Sequence, residues 1–353
     1  MKLLIITQKV DKNDPILGFF HRWLEELANK CESVIVICLE RGEYDLPSNV
    51  KVLSLGKEEK NFQFSIFNFQ KLKYVWRFYK YVWQERHNYD SVFVHMNQEY
   101  LLLAGDMWRV WGKRVFLWRN HAQGNLLTKL AGLLAHRVFY TSPKAFVASF
   151  SNAVIMPAGI DLKHFKTTPV PVESNRILVL GRISPVKRID AIIDGLKHLE
   201  LRGVDYKADI VGDALPKDVE YERSLKEKIQ ELGLARKLRM LPSVPHAKAP
   251  ELYQQYKLLI NLTPDGSLDK TIFEALASGL KVVVANSFFK DWLPTTWVLE
   301  NPDDAKELAE KLSSALPDSH THNSETQGKI SVLLKEHSLK TLVDKLMAEF
   351  KKR

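Results

Sequence analysis

The feature that most constrains this chain is an alternation of two patterns. Short runs rich in Val, Ile and Leu are each followed by a stretch whose apolar residues recur every three or four positions. In the first half the runs fall at 3–7, 33–39, 51–56, 91–96, 114–120, 137–142 and 153–159. Between them lie segments such as FFHRWLEELANK (19–30), with a period near 3.6. Strand, helix, strand in that order calls for right-handed crossovers and a parallel sheet covered by helices. The pattern restarts at RILVLGR (176–182), passes through a helix at 187–201, and adds strands at 207–213, 237–244, 258–264 and 281–286. A polar, proline-containing stretch, KTTPVPVESN (166–175), separates the two series. The chain therefore reads as α/β, with two doubly wound Rossmann-like domains at 1–168 and 174–335. A final helical segment, 336–353, is expected to pack back on the first domain. Two domains of this type place a ligand in a central cleft, beyond the carboxyl ends of their strands.

Composition narrows the classes. Hydrophobic residues at 45% and charged residues at 26% exclude disorder as the dominant state. Two cysteines, Cys31 and Cys38, exclude a disulfide scaffold and a four-cysteine zinc site. The N-terminus reads as a buried first strand and no stretch approaches a membrane span, so a cytoplasmic location is expected. A net charge of +9 favours acidic partners such as nucleotide phosphates, anionic lipid or nucleic acid. No D-x-D pair, H-E-x-x-H or Cys cluster occurs, so neither a metal nor another cofactor is expected.

Two stretches carry most of the chemistry. TPDGSLDKTIFEALASGLKVVVAN (263–286) reads as strand, tight loop, helix, glycine stop, strand. Its loop offers free backbone N–H groups at a helix start, which suits an anion. Lys270 adds a charge, and Asp269 and Glu274 are acceptors for hydroxyls. The plainer reading is a helix with an acidic first turn and a cap at Gly279. In LGRISPVKRID (180–190) a strand ends at Gly181, and Arg182 and Lys187 flank a Ser-Pro turn. Together the two cations can neutralise a diphosphate; singly they are ordinary surface cations.

These segments resemble the retaining glycosyltransferases of family four, which have the two-domain GT-B fold. The family's G-R-x-x-x-x-K-G becomes Gly181-Arg182 with Lys187, followed by Arg188 in place of Gly. Its E-G-F-G-x-x-x-x-E-A-M-A-x-G becomes Gly266-Ser267-Leu268-Asp269, ending in Glu274-Ala275-Leu276-Ala277 and Gly279. MPAGID (156–161) resembles the family's V-x-N-G-I-D. The resemblance implies transfer of a sugar from a UDP- or GDP-sugar, with retained configuration, to a hydroxyl of a glycan, glycolipid or small molecule. It implies that Arg182 and Lys187 hold the diphosphate, that Glu274 binds the ribose, and that the amides of Ser267, Leu268, Asp269 and Lys270 cradle sugar and phosphate. Gly266 stands where the family has its first glutamate; Asp265 or Asp269 can replace it, with Asp269 favoured. Gly18 corresponds to a glycine loop near the diphosphate, and Gly212 and Val244 to the nucleobase rim. His121 matches a histidine lining the reacting sugar's pocket, and His95 and Asn120 are acceptor-side candidates. The alternatives are a nucleotide-sugar epimerase of the same fold and a noncatalytic nucleotide-sugar-binding adaptor. The family resemblance also suggests a role in cell-envelope glycan synthesis.

The segment 67–89 interleaves Phe67, Phe69, Tyr74, Trp76, Phe78, Tyr79, Tyr81 and Trp83 with Lys71, Lys73, Arg77, Lys80 and Arg86. It fits peripheral contact with an anionic membrane, on its inner face. It equally fits a crossover helix with one apolar face in the core. No recognised nucleic-acid module accompanies it, so no nucleic-acid partner is expected.

Overall fold

The computed structural model describes residues 1–59, 67–166, 175–316 and 324–352. The linker read at 166–175 lies almost wholly outside them. The chain forms two compact units, Met1–Gly159 with Leu339–Arg353, and Ile160–Ser338. The division falls ahead of the expected 168/174 boundary, directly after MPAG, which belongs to the first unit. There Met156 is in the core and the Trp23 indole donates to Gly159 O at 3.0 Å. A Cβ on Gly159 would lie 2.4 Å from Leu342 and 2.6 Å from Trp23, and its φ is +74°. Only glycine fits that contact.

The first unit runs β1 (Lys2–Val10), α1 (Gly18–Ala28), β2 (Ser33–Arg41), β3 (Val50–Ser54), α2 (Phe67–Gln84), β4 (Ser91–His95), α3 (Gln98–Val110), β5 (Arg114–Trp118), α4 (Leu126–Leu134), β6 (Arg137–Tyr140) and β7 (Ala153–Ile155). The second runs β8 (Arg176–Leu180), α5 (Ile189–Leu201), β9 (Lys207–Val211), α6 (Val219–Glu231), β10 (Leu238–Leu241), α7 (Ala249–Tyr253), β11 (Leu258–Asn261), α8 (Lys270–Ala277), β12 (Lys281–Val284), α9 (Ala305–Ala315) and α10 (Ser324–Glu336). The last helix, α11 (Leu339–Lys351), belongs to the first unit.

Among the described residues the sheets have seven and five strands, ordered β3-β2-β1-β4-β5-β6-β7 and β10-β9-β8-β11-β12. Neighbouring strands pair in parallel throughout. Each order reverses beside its unit's first strand, between β1 and β4 and between β8 and β11. Connections on either side of such a reversal leave in opposite directions and open a crevice at the strand ends. Strands buried on both faces explain the near-continuous apolar runs in the sequence.

In the first unit, Leu3, Ile5, Val34 and Val36 face α1 and α11, whereas Leu4, Ile6, Val92 and Val94 face α2, α3 and α4. Burying each such side chain stabilises the fold by about 1.5–3 kcal/mol. The α11 face is completed by Phe350, whose ring lies 4.7 Å from Phe116 and 5.6 Å from Phe93. Its carbonyl accepts from Arg114 at 2.6 Å. Both cysteines are free and buried; burial pushes the Cys38 thiol up to about 12.

Candidate functional site

In the second unit the sequence-predicted residues converge on the ends of β8 and β11. β8 stops at Leu180. Gly181 donates its N–H to Val211 O at 3.1 Å, and Ile183 donates to Asp213 O at 3.0 Å. Arg182, between them, is exposed. The next residues make a short 3-10 turn, Pro185–Lys187, rather than the first turn of a helix. Arg188 then takes a left-handed φ of 51°, and α5 begins only at Ile189. The glycine of the resembled motif adopts that backbone freely. Here an arginine does so, with its guanidinium held by Asp303 at 2.6 Å. The turn sends Lys187 back towards β11.

There Lys187 meets the start of α8. Asp269 caps this helix, accepting from Thr271 N at 3.3 Å and Thr271 Oγ1 at 3.1 Å. Its other oxygen accepts from Asn261 Nδ2 at 2.8 Å and Thr263 Oγ1 at 3.1 Å, and forms an ion pair with Lys187. Lys187 also donates to Thr263 Oγ1 at 3.2 Å. Burial alone would raise the Asp269 carboxyl. The Lys187 charge and the hydrogen bonds from Asn261 and Thr271 outweigh it and hold the group well below the usual carboxylate range. Both oxygens are fully engaged by protein donors. The structure thus gives Asp269 the work of a cap and an anchor for Lys187. A small pocket beside the pair is lined by Gly181, Arg182, Lys187, Ile189, Asn261 and Leu262.

One turn into α8, Glu274 is buried. It accepts from the Tyr253 hydroxyl at 3.0 Å, and its other oxygen lies 3.2 Å from His246 Nε2. Burial first, then the neighbouring Glu274 carboxylate, pushes the Tyr253 phenol far above its ordinary range. His246 packs against Phe165, with ring centroids 5.6 Å apart. Lys270, at the first position of α8, is pulled down to about 7 by burial, against the opposing pull of Glu274 and Asp269. Leu268 is buried and Ser267 partly so, and Ser267 O accepts from Asn286 Nδ2 at 3.0 Å. Asp265 binds Ser287 through N–H and hydroxyl, both at 2.8 Å.

Gly212 and Val244 lie beyond the ends of β9 and β10, one and two strands from β8. A Cβ on Gly212 would fall 1.9 Å from Gly181 O. Gly212 is therefore required by the close approach of two backbones, whatever else it does. Val244 is partly buried. Ser243, beside it, donates its N–H to Asp213 at 3.2 Å.

The first-unit candidates divide. Gly18 is the buried first residue of α1, and its N–H is already bonded to Asp14 O at 3.0 Å. His95 is 1% exposed, the reverse of the acceptor-facing position expected. Its ring stacks on Phe20 at 3.8 Å, and Nδ1 lies 3.2 Å from Thr7 Oγ1. The reason is register: His95 is the last residue of β4, paired with Trp118, and still inside the sheet. β5 ends two residues earlier than expected, at Trp118, so Asn120 and His121 do lie in the following connection. Asn120 Oδ1 accepts from Thr141 N at 3.2 Å. His121 is exposed, and Gln123 donates its N–H to His121 Nδ1 at 3.0 Å.

Sequence reasoning missed Asn261, Thr263, Thr271, Tyr253 and His246. For the first three a signal existed: polar residues interrupting a strand end and a helix start beside Asp269. Among the described residues, no group of three or more His, Cys, Asp or Glu side chains is placed to hold a metal ion. No described helix is long and apolar enough to cross a membrane.

Residues 161–330 match the family described as glycosyl transferases, group 1. Several solved structures share the fold over nearly the whole chain. HepE (Alr3699) from Anabaena, solved in complex with UDP and glucose, is 19% identical, with all of both chains covered and a TM-score of 0.78. Sucrose-phosphate synthase from Thermosynechococcus elongatus is 13% identical, with 99% of this chain and 98% of that one covered and a TM-score of 0.76. A glycosyltransferase from Rickettsia africae ESF-5 is 16% identical, with 99% and 98% covered and a TM-score of 0.72. No curated protein sequence gives a significant match. Two doubly wound units of this kind define the GT-B fold. The match to the group 1 glycosyl transferases covers 161–330, nearly all of the second unit.

Proposed function

We propose that the protein transfers a sugar from a nucleoside-diphosphate sugar, UDP- or GDP-linked, to a hydroxyl of a glycan, glycolipid or small-molecule acceptor. The observation that carries this reading is the Arg182–Lys187–Asp269 cluster at the β8/β11 switch point, within the group 1 domain. Binding of UDP and glucose by HepE, a structural relative, supports a nucleotide-sugar donor. Arg182 and Lys187 bind the diphosphate and offset the negative charge that grows on it as the glycosidic C1–O bond breaks, without a metal ion. Amides at the α8 start add to this field. Glu274 orients the ribose hydroxyls, exchanging its contacts to Tyr253 and His246 for them. The acceptor oxygen bonds to C1 on the face the phosphate leaves, its proton passes to a phosphate oxygen, and configuration is retained. His121 contributes to the pocket of the reacting sugar. The chemistry takes place in the cytoplasm, where nucleotide sugars serve as donors for envelope glycans.

Thermal shift with UDP, GDP and their sugars tests the donor, since a ligand of the native state raises its apparent stability. A shift with one diphosphate, lost in Arg182→Ala and Lys187→Ala, is expected; no shift with any of them rejects the reading. The anomeric form of the product, followed by NMR, tests retention. Unchanged rates in chelator test metal independence.

A further inference from the structure

Three neighbouring helices of the first unit carry a second apolar face. Phe78 and Val82 of α2, Leu101 and Trp108 of α3 and Ala131 of α4 point into the core on one side of the sheet. The outer faces of the same helices are not polar. Leu72, Trp76, Tyr79 and Trp83 follow one another at helical spacing along α2 and are 63%, 62%, 38% and 56% exposed. α3 adds Leu103 and Val110, and α4 adds Leu126, Leu127, Leu130 and Leu133, all exposed. Of the eighteen exposed large apolar side chains among the described residues, ten lie on these three helices, so the exposure is concentrated and not scattered.

The helices are side by side. Tyr79 donates its hydroxyl to Leu103 O at 2.7 Å, and Trp83 meets Trp111 edge-on at 5.7 Å. Arg109 donates to Leu133 O and Leu134 O at 3.3 and 3.2 Å. The α2 side of this surface is also basic, while α3 adds the exposed Asp106 between Leu103 and Val110. α2 contains Lys71, Lys73, Arg77 and Lys80 and no acidic residue. Glu59 binds Lys73 and Arg77, while Lys71 and Lys80 are exposed. Lys80 lies over the Trp76 ring at 5.2 Å, and Arg86 over Trp83 at 4.4 Å.

Aromatic rings edged by lysines match a hydrocarbon surface lying beneath anionic headgroups. A second copy of the same face would set like charges against each other. We propose that the outer face of α2, α3 and α4 docks the protein on an anionic lipid bilayer. Trp76 and Trp83 sit at headgroup depth, Lys71 and Lys80 lie among the lipid phosphates, and the leucines of α4 extend the contact. This docking is independent of which nucleotide sugar the second unit binds.

Flotation of the full chain with vesicles of phosphatidylglycerol and phosphatidylcholine, against vesicles of phosphatidylcholine alone, tests it. Binding to the anionic vesicles is expected to exceed neutral binding by roughly tenfold or more, to fall with salt, and to shift tryptophan emission to the blue. The Trp76→Ser/Trp83→Ser pair and the Lys71→Glu/Lys80→Glu pair each reduce it by roughly tenfold. Both lysines are exposed, and an unchanged melting temperature checks the fold of the pair. Leu130→Ser/Leu133→Ser gives a smaller loss. Binding that is equal on both vesicles, absent from both, or intact in the lysine pair overturns the proposal. So does a dimer in light scattering, or capture of oligo-dT, that the tryptophan pair abolishes, since the face would then belong to a second copy or to a nucleic acid.

Discussion

Each unit joins a lysine to an aspartate at the start of a helix beside its sheet's reversal point, but the charge balance differs. In the first unit Lys9 of β1 pairs with Asp11 at 3.3 Å, Asp14 at 2.9 Å and Glu40 at 3.1 Å. Asp14 also accepts from Ile16 N and Leu17 N, closing the entry to α1. In the second unit, among the described residues, Lys187 pairs with the single carboxylate of Asp269, and Arg182 stands exposed beside it. Three carboxylates around one lysine make a strut with no cation to offer. One carboxylate on Lys187, with Arg182 lining the same pocket, leaves positive charge in excess. The same local device therefore builds a strut in one sheet and, on the reading proposed above, an anion site in the other.

The strongest test sets the two lysines against each other. Lys187→Ala is expected to lower turnover by about 10²–10³-fold, or about 2.7–4 kcal/mol of transition-state stabilisation. Lys9→Ala should leave turnover near wild type and lower unfolding free energy by about 1.5–3 kcal/mol. Equal losses of turnover in the two variants would erase the distinction. Next in size, Asp269→Ala should cost about 3 kcal/mol in chemical denaturation, because it strands Lys187 and the donors of Asn261, Thr263 and Thr271. Asp14→Ala, nearer solvent, should cost about 1 kcal/mol.

A third comparison lies within the second unit. Gly212→Ala forces a methyl onto Gly181 O and should cost about 1–3 kcal/mol by thermal melting. Gly203→Ala, with φ +75° and nothing within 4 Å of the added carbon, should cost only about 1 kcal/mol. The smallest effect is a proton. Lys270 is pulled down to about 7, so its contribution to stability falls as pH drops from the free-lysine value of about 10.4 to about 7, and is constant below. A diphosphate bound nearby would restore the charge. Calorimetry at pH 8 in buffers of different ionisation enthalpy should show uptake of up to one proton per nucleotide, vanishing below pH 7 and in Lys270→Met. Buffer-independent heats would place the diphosphate away from α8.

Much of this molecule was legible in the order of its residues. Strands buried on both faces left continuous apolar runs, and the switch-point residues Gly181, Arg182, Lys187 and Asp269 followed strands as the fold requires. What stayed hidden was of two kinds. The contacts of Glu274 come from His246 and Tyr253, held near it by β10 and α7, and no local pattern marks partners brought together by a crossover. The sequence places His95 just beyond a strand and facing the acceptor, yet it is the last residue of β4 and packs among Phe20, Trp23 and Trp118. The helix at 67–89 was weighed as either core-facing or surface-binding. Its described part, from Lys71 onward, carries two apolar stripes, one in the core and one exposed, and the exposed one is the face proposed above to dock on lipid.

The chain leaves the first unit at Gly159 and re-enters it at Leu339. During synthesis, β1 to β7 must therefore wait, with the groove for Leu342, Leu346 and Phe350 uncovered, while the whole second unit emerges from the ribosome. Ribosome-stalled chains ending near residue 330 should bind hydrophobic dyes and trigger factor-like holdases that the released protein ignores, and a peptide of the last fifteen residues should close the gap in trans.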